Sequence, residues 1–390
     1  MSIIGGVGIR GKIALSVALC SLVWVVLLVG MHGDMRSDPQ FALPMDHHKY
    51  LAMAQQDVGT FHIAPFCWRI GAPAVAHLIG GDPWTVMLGL TTLGLVLVMC
   101  SVALLVWDAT SSWINVAGVS ASVLAMGWLT RSSVWNPATV DILACGLMML
   151  SVYLATRNAW MWSALVLCCG VLVKESALLA LPIAFVVCDH ASWKRLLVWS
   201  LPAMCVVAIV RAVIPAGNAD AAYLATLPET LRLVQNGTST YSLSYLISTV
   251  VTDRVLHPSV SDIWALTGDS VGLVILVLLG FVAWSCPTRR WPLVVVCGLA
   301  AGQVLLAVNI QRVVLMAGPA LAGIGWMYLP QTQLRWASKV LLYLACGMAL
   351  VTTLGSRVSP PMVVHLASLA VVGIAIIVHR RRLHEGINHA

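Results

Sequence analysis

"WTVMLGLTTLGLVLVMCSVALLVW", residues 84–107, carries no charged side chain. As a helix rising 1.5 Å per residue it reaches about 36 Å, enough to cross the ~30 Å hydrocarbon core of a bilayer. Comparable apolar runs recur on both sides of it. The whole chain of 390 residues is 60% hydrophobic and 9% charged, with a mean hydropathy of +0.92. Those values exclude a soluble globular protein and predict an all-α polytopic membrane protein.

Working outward from that run, the predicted spans are 13–31, 84–107, 113–129, 139–156, 160–173, 176–188, 196–214, 270–285, 291–308, 313–329, 340–355 and 362–378, about twelve transmembrane helices in one integral-membrane domain over 1–390. The first run follows Arg10 and Lys12 but lacks an evident cleavage site, so it reads as an uncleaved helix. Alternate loops gather Arg10, Lys12, Arg157, Lys194, Arg195, Arg289, Arg290, Arg335, Lys339 and Arg380 to Arg382 against only Asp108, Asp189 and Glu385. By the positive-inside rule these loops and both termini, including the basic tail 379–390, are cytoplasmic in a cell membrane. The net charge of +7 therefore reports orientation and implies no nucleic acid partner. Most of the eleven cysteines lie within apolar runs, where they act as small hydrophobes with no disulfide framework.

Two outer loops are long, 32–83 and 215–269, and length marks them as candidates for function. In the first, "DHHKYLAMAQQDV" places Asp46, Lys49, Tyr50, Met53 and Asp57 on one face of a helix. The following "APFCWRIGAPAVAHLIGGDPW" is too short and too broken by Pro and Gly to span, and reads as a surface-lying or re-entrant helix. Asp46 is a candidate general base for a substrate hydroxyl, against the plainer reading of a solvated loop acid. His47 and His48 point about 100° apart on a helix, so they are not expected to converge on one metal.

Three outer helix mouths carry further polarity. "VLVKESALLALPIAF", residues 171–185, puts Lys174 and Glu175 at a helix end. Lys174 would reach a phosphate there, with Glu175 orienting it or another basic residue, unless both simply snorkel to the interface. "LTRSSVWNPATVD", residues 129–141, supplies Arg131 and an intramembrane acid, Asp141, either functional or paired with Arg131 or backbone. "NIQRVVLMAGPALAGIG", residues 309–325, opens with Arg312. If these ends converge, Arg131, Lys174 and Arg312 form a cationic collar suited to an anionic lipid headgroup.

The succession "DHHKYLAMA", "PFCWRIGAPAVAHL", "KESALLALPIAF" and "NIQRVVLMAGPAL", from the first span to about residue 325, resembles the GT-C superfamily of membrane glycosyltransferases. Members have an acid after the first span in a setting similar to Asp46 with Tyr50, a basic–acidic pair where Lys174 and Glu175 stand, and an Arg-bearing outer helix end resembling Arg312. "WRIGAPAVAHL" is similar to a bacterial motif that would include Arg69 and Pro73. The chain departs from many members in showing no soluble C-terminal domain and no second acid beside Asp46.

The resemblance implies a GT-C-like fold and an inverting transfer of sugar from a polyprenyl-phosphate donor to a lipid, glycan or protein acceptor on the extracytoplasmic side. Asp46 would be the base, Lys174, Arg312 and Arg131 would hold the donor phosphate, and Lys49, Tyr50, Arg69, Glu175 and Asp141 would support them. That chemistry needs one base and several cations. It requires no certain cofactor, and a divalent metal has no support in the spacing. A transporter or flippase for a lipid-linked or anionic substrate, and a non-catalytic scaffold, are the competing readings. A transporter is expected to place polar sites near the midplane, whereas polarity here gathers at one surface.

Overall fold

The computed structural model describes residues 3–231 apart from positions 34, 43–44, 58, 189–192 and 218–219, scattered positions between 275 and 294, and residues 310–329 and 337–354. Every regular element among them is helical. The chain opens with α1 (Ile3–His32) and enters the first loop with α2 (Asp46–Gln55) and α3 (Gly71–Ile79). Then come α4 (Pro83–Thr110), α5 (Trp113–Leu124), a π turn at Trp128–Ser132 leading into α6 (Ser133–Trp135), α7 (Asp141–Thr156) and α8 (Trp160–Val173). A 3-10 turn at Glu175–Leu179 leads into α9 (Ala180–Val187), followed by α10 (Trp193–Val213), α11 (Ala221–Thr226), α12 (Ile310–Tyr328) and α13 (Ala337–Leu354).

α4, which contains the opening run, is the axis of the bundle and packs against α1, α5, α7 and α12. Asp82 caps it by accepting hydrogen bonds from the Trp84 and Thr85 backbone N–H groups, with Pro83 at the first helical position. Two glycines allow α4 and α7 to touch backbone to backbone. A Cβ on Gly94 would stand 2.6 Å from Leu143 Cα, and one on Gly146 would stand 2.5 Å from the Gly94 carbonyl oxygen. Such small-residue contacts replace the hydrophobic drive that lipid-embedded helices lack. α7 and α8 are joined by reciprocal hydroxyl bonds, Ser151 Oγ to the Ser163 carbonyl at 2.7 Å and Ser163 Oγ to the Ser151 carbonyl at 2.6 Å. Trp326 of α12 is fully buried, donates from Nε1 to Ser122 Oγ at 3.0 Å and accepts from Asn115 at its backbone carbonyl.

Three described helical stretches are long and apolar enough to cross a membrane: Gly11–Ser37, Pro83–Thr110 and Lys194–Val213. The first and last expose apolar bands, including Val23 and Val26 on α1 and Val198, Ile209 and Val213 on α10. The segment expected as a single span at 113–129 is bent instead, since Trp113–Leu124 and Trp128–Trp135 meet at 67°. The helical ladder breaks around Gly127 and resumes as the π turn, a recognised origin of kinks. The expected spans at 139–156, 160–173 and 176–188 are shorter apolar helices. Fourteen residues of α8 rise only about 21 Å. The expected spans at 270–285, 291–308 and 362–378, most of the loop 215–269 and the tail 379–390 lie wholly or largely outside the described residues.

Candidate functional site

α2 is polar in composition yet mostly turned inward. Its first residue, Asp46, is half-buried and lies at the positive end of the helix dipole, while His47, Lys49, Tyr50, Ala52, Met53 and Ala54 are buried. Tyr50 follows Asp46 by one helical turn on the same face. The helix ends at Gln55 with Gln56 extended, so Asp57, expected on that face, lies beyond it and is exposed beside His77. The stretch expected to hold a surface-lying or re-entrant helix is a 3-10 turn, Phe66–Trp68, followed by the nine-residue α3.

Arg69 joins that stretch to both α2 and the end of α8. Its Nε and Nη2 donate to the two carboxylate oxygens of Glu175 at 3.0 and 2.9 Å, and its Nη1 donates to the Tyr50 hydroxyl at 3.2 Å. The fork geometry of guanidinium and carboxylate makes this a directional clamp. The pair is largely shielded, with side-chain exposures of 12% for Arg69 and 30% for Glu175. Burial acts to raise the Glu175 carboxyl, but the Arg69 charge and its hydrogen bonds outweigh it and hold the group at about 2. Burial pushes the Tyr50 hydroxyl up to about 12, so it stays protonated. Phe66 lies beneath this group, 5.5 Å from the Tyr50 ring, with Lys49 Nζ over its face at 5.1 Å and Arg69 at 5.8 Å. Close packing sets the approach: a Cβ on Gly71 would fall 2.9 Å from the backbone of Leu172 and Val173.

Immediately beside the clamp, Lys174 Nζ donates to the Asp141 carboxylate, and both side chains are buried, at 6% and 3% exposure. The partnership follows from topology. α7 and α8 form an antiparallel hairpin, so the first residue of one meets the residue that ends the other. Lys174 has an extended backbone there, φ −162° and ψ 131°, which breaks α8 and turns its side chain inward. Its ammonium is thus matched by Asp141 instead of being presented in a collar. Arg131 sits in the π turn and is 2% exposed. Arg312 lies in the first turn of α12 and its side chain is outside the described ones.

The histidines differ from expectation. Their ring centroids are 4.1 Å apart, and Nε2 of both faces the Phe41 carbonyl oxygen, at 3.3 Å from His47 and 2.6 Å from His48. The 100° separation on a helix governs where side chains leave the backbone, and their torsions bring the rings back together. The convergence point is the Phe41 backbone oxygen, while the Phe41 ring stacks on His47 at 4.8 Å and meets Trp84 edge-on at 5.6 Å. Burial, reinforced by His48, lowers His47 to about 4. No group of three or more His, Cys, Asp or Glu among the described residues could hold a metal ion. Lys49 is 2% exposed, donates to the Met45 carbonyl at 3.3 Å, and is lowered by burial to about 8.

One set of contacts had no counterpart in the sequence reading. The start of the second long loop fastens the first: the Gly217 N–H donates to the His62 carbonyl at 2.7 Å, and the His62 N–H donates to the Tyr223 hydroxyl at 2.9 Å. Trp68 Nε1 donates to the Ile214 carbonyl at 3.0 Å. Tyr223 stands on α11, whose start Asp220 caps through the Ala222 and Tyr223 N–H groups. An aspartate followed by a short apolar run is a helix-start signal that could have located α11, but nothing in it names the partner. Comparison of the chain with protein-family models, with curated proteins and with solved structures finds no match.

Proposed function

We propose that the chain is an integral-membrane glycosyltransferase of GT-C type that takes a sugar from a polyprenyl-phosphate carrier on the extracytoplasmic side of a cell membrane. The observation that carries this reading is the Tyr50–Arg69–Glu175 clamp. It brings the half-buried acid of α2, Asp46, to the same end of the bundle as the buried Lys174–Asp141 pair. In the proposed reaction the Asp46 carboxylate accepts the proton of an acceptor hydroxyl as its oxygen attacks the anomeric carbon. The bond between that carbon and the phosphate oxygen breaks, and polyprenyl phosphate leaves with the electron pair. Arg131 and Arg312 are assigned to the leaving charge. Lys174 joins them only when a phosphate competes with Asp141 for its ammonium, so its pairing sets the cost of engaging the donor. Twelve spans, with both termini cytoplasmic, complete the proposed architecture.

The test is transfer of radiolabelled sugar from polyprenyl-phosphate donors to membrane acceptors. Asp46→Ala is expected to abolish transfer while leaving the melting temperature in detergent within a few degrees of wild type. Full transfer by that variant removes Asp46 as the base. A buried carboxylate–ammonium pair between two helices also suits a proton-coupled transporter. Substrate movement across sealed vesicles without sugar transfer would favour that second reading.

A further inference from the structure

α10 and α8 enclose a groove that the proposed chemistry does not use. It is lined by Val171 and Leu172 of α8, Val206, Val207, Val210 and Arg211 of α10, and Trp68 and Glu175 at its mouth, and it encloses about 240 Å³ of empty space, part of it open to the outside. Much of that space is open, so the feature is a surface groove along whose aliphatic wall a hydrocarbon chain can lie, not a closed pocket. Its floor is five aliphatic side chains. Its rim is polar, and the charges there are unequal in their commitments. Glu175 is spent on Arg69 in the bidentate pair. Arg211 is exposed, makes no ion pair with any described residue, and lies over the Trp68 ring at 4.8 Å.

We infer that this groove is a binding site for one anionic phospholipid, with an acyl chain between α8 and α10 and its phosphate on Arg211. Three observations support that occupant. Arg211 is in the last turn of a helix long and apolar enough to cross a membrane, which puts its guanidinium at headgroup depth. Trp68 is an indole at the same level, fixed by its bond to the Ile214 carbonyl, in the manner of the aromatic residues that line membrane interfaces. The outer face of α10 beside the groove exposes Leu201, Met204, Ile209 and Val213, so the groove opens toward lipid. The phosphate of a net-anionic lipid meets a cation with no ion-pair partner among the described residues, whereas a zwitterionic headgroup brings an ammonium that competes for its own phosphate and is repelled by Arg211. The inference depends on α10 lying in the bilayer and not on sugar transfer.

The full chain, taken from nanodiscs of equal phosphatidylglycerol and phosphatidylethanolamine, is examined by native mass spectrometry. One phosphatidylglycerol is expected to be retained per chain in at least tenfold preference to phosphatidylethanolamine. Arg211→Gln should abolish the preference, and Val207→Trp, which fills the groove, should remove the retained lipid altogether. A melting curve on each variant separates loss of binding from loss of fold, and Arg211→Gln alters only an exposed side chain. Equal retention of the two lipids by wild type, or unchanged retention in both variants, overturns the inference. Preferential retention of an added polyisoprenyl phosphate overturns the assignment to phospholipid.

Discussion

Removing the charge from Glu175 should separate what the clamp contributes from what its neighbours contribute. The carboxyl is held at about 2 against an ordinary value near 4.3. At 1.36 kcal/mol per pH unit that difference is worth about 3 kcal/mol. Partial exposure of the side chain, 30%, lets solvent screen part of it and brings the expected loss in Glu175→Gln to about 2 kcal/mol. Arg69→Met should lose a similar amount, because it leaves a shielded carboxylate without its partner. The double variant should lose less than the sum, with a coupling of about 1.5 kcal/mol in a double-mutant cycle followed by SDS unfolding in mixed micelles. The pH dependence has a fixed sign. A carboxyl lowered in the folded state contributes fully above its unfolded value near 4.3, and that contribution is lost as pH falls toward 2. Wild type and Glu175→Gln should therefore converge on acidification through that window. Additive single losses, or a difference at pH 2 as large as that at pH 7, would refute the account of the clamp.

Three further outcomes follow from buried charge and close packing. Lys49 is lowered to about 8 by burial, so the unfolded chain binds more protons between pH 8 and 10.5 and wild-type stability should rise across that range. Lys49→Met should be more stable than wild type at pH 7 by about 1–2 kcal/mol after loss of the Phe66 contact, with the gap closing by pH 10.5 in thermal melts. Asp141→Asn and Lys174→Met should each cost about 3–5 kcal/mol by removing one member of a buried ion pair, while the Asp141→Leu, Lys174→Met double variant should stay near wild type; equal damage in the double variant would show that the pair does more than cancel charge. Gly71→Ala forces a Cβ onto the α8 backbone and should cost about 1–3 kcal/mol, measured by SDS unfolding, and a neutral result would mean that α3 slides freely along α8.

The helical, apolar character of the chain was legible because it is a property of composition and run length. The run at 84–107 has no plausible soluble fate, and it became α4, the longest described apolar helix after α1. A helix starting at Asp46 was legible from spacing, and its inward orientation was not, because spacing marks a shared face without saying what that face meets. Which charge pairs with which was hidden for the same reason. Arg69 and Glu175 are 106 residues apart, and no local pattern selects Glu175 over the acids nearer to Arg69. The adjacency of Lys174 and Glu175 suggested a local partnership, yet an extended residue at the helix end sends the two side chains to different acceptors, Asp141 and Arg69. The bend after α5 was missed because hydropathy does not register a π turn.

The ties that hold residues 62–69 have a consequence for how the protein is made. Their partners are Glu175, Ile214, Gly217 and Tyr223, and Tyr223 is 161 residues downstream of His62. At 5–20 residues per second, the ribosome delivers that last partner roughly 8–32 s after His62 itself. During that interval α1, α4, α7 and α8 can assemble, while the segment that carries Arg69 has no Glu175 and then no Tyr223 to receive it. The first loop is early in the gene and late in the fold. A truncated product ending before residue 214 would keep α1 and α4 to α9, and would lack α12, α13 and the fastening of the loop. Quality control of such a product would find the unpaired His62 backbone and the freed Trp68 indole, far from the place where synthesis stopped.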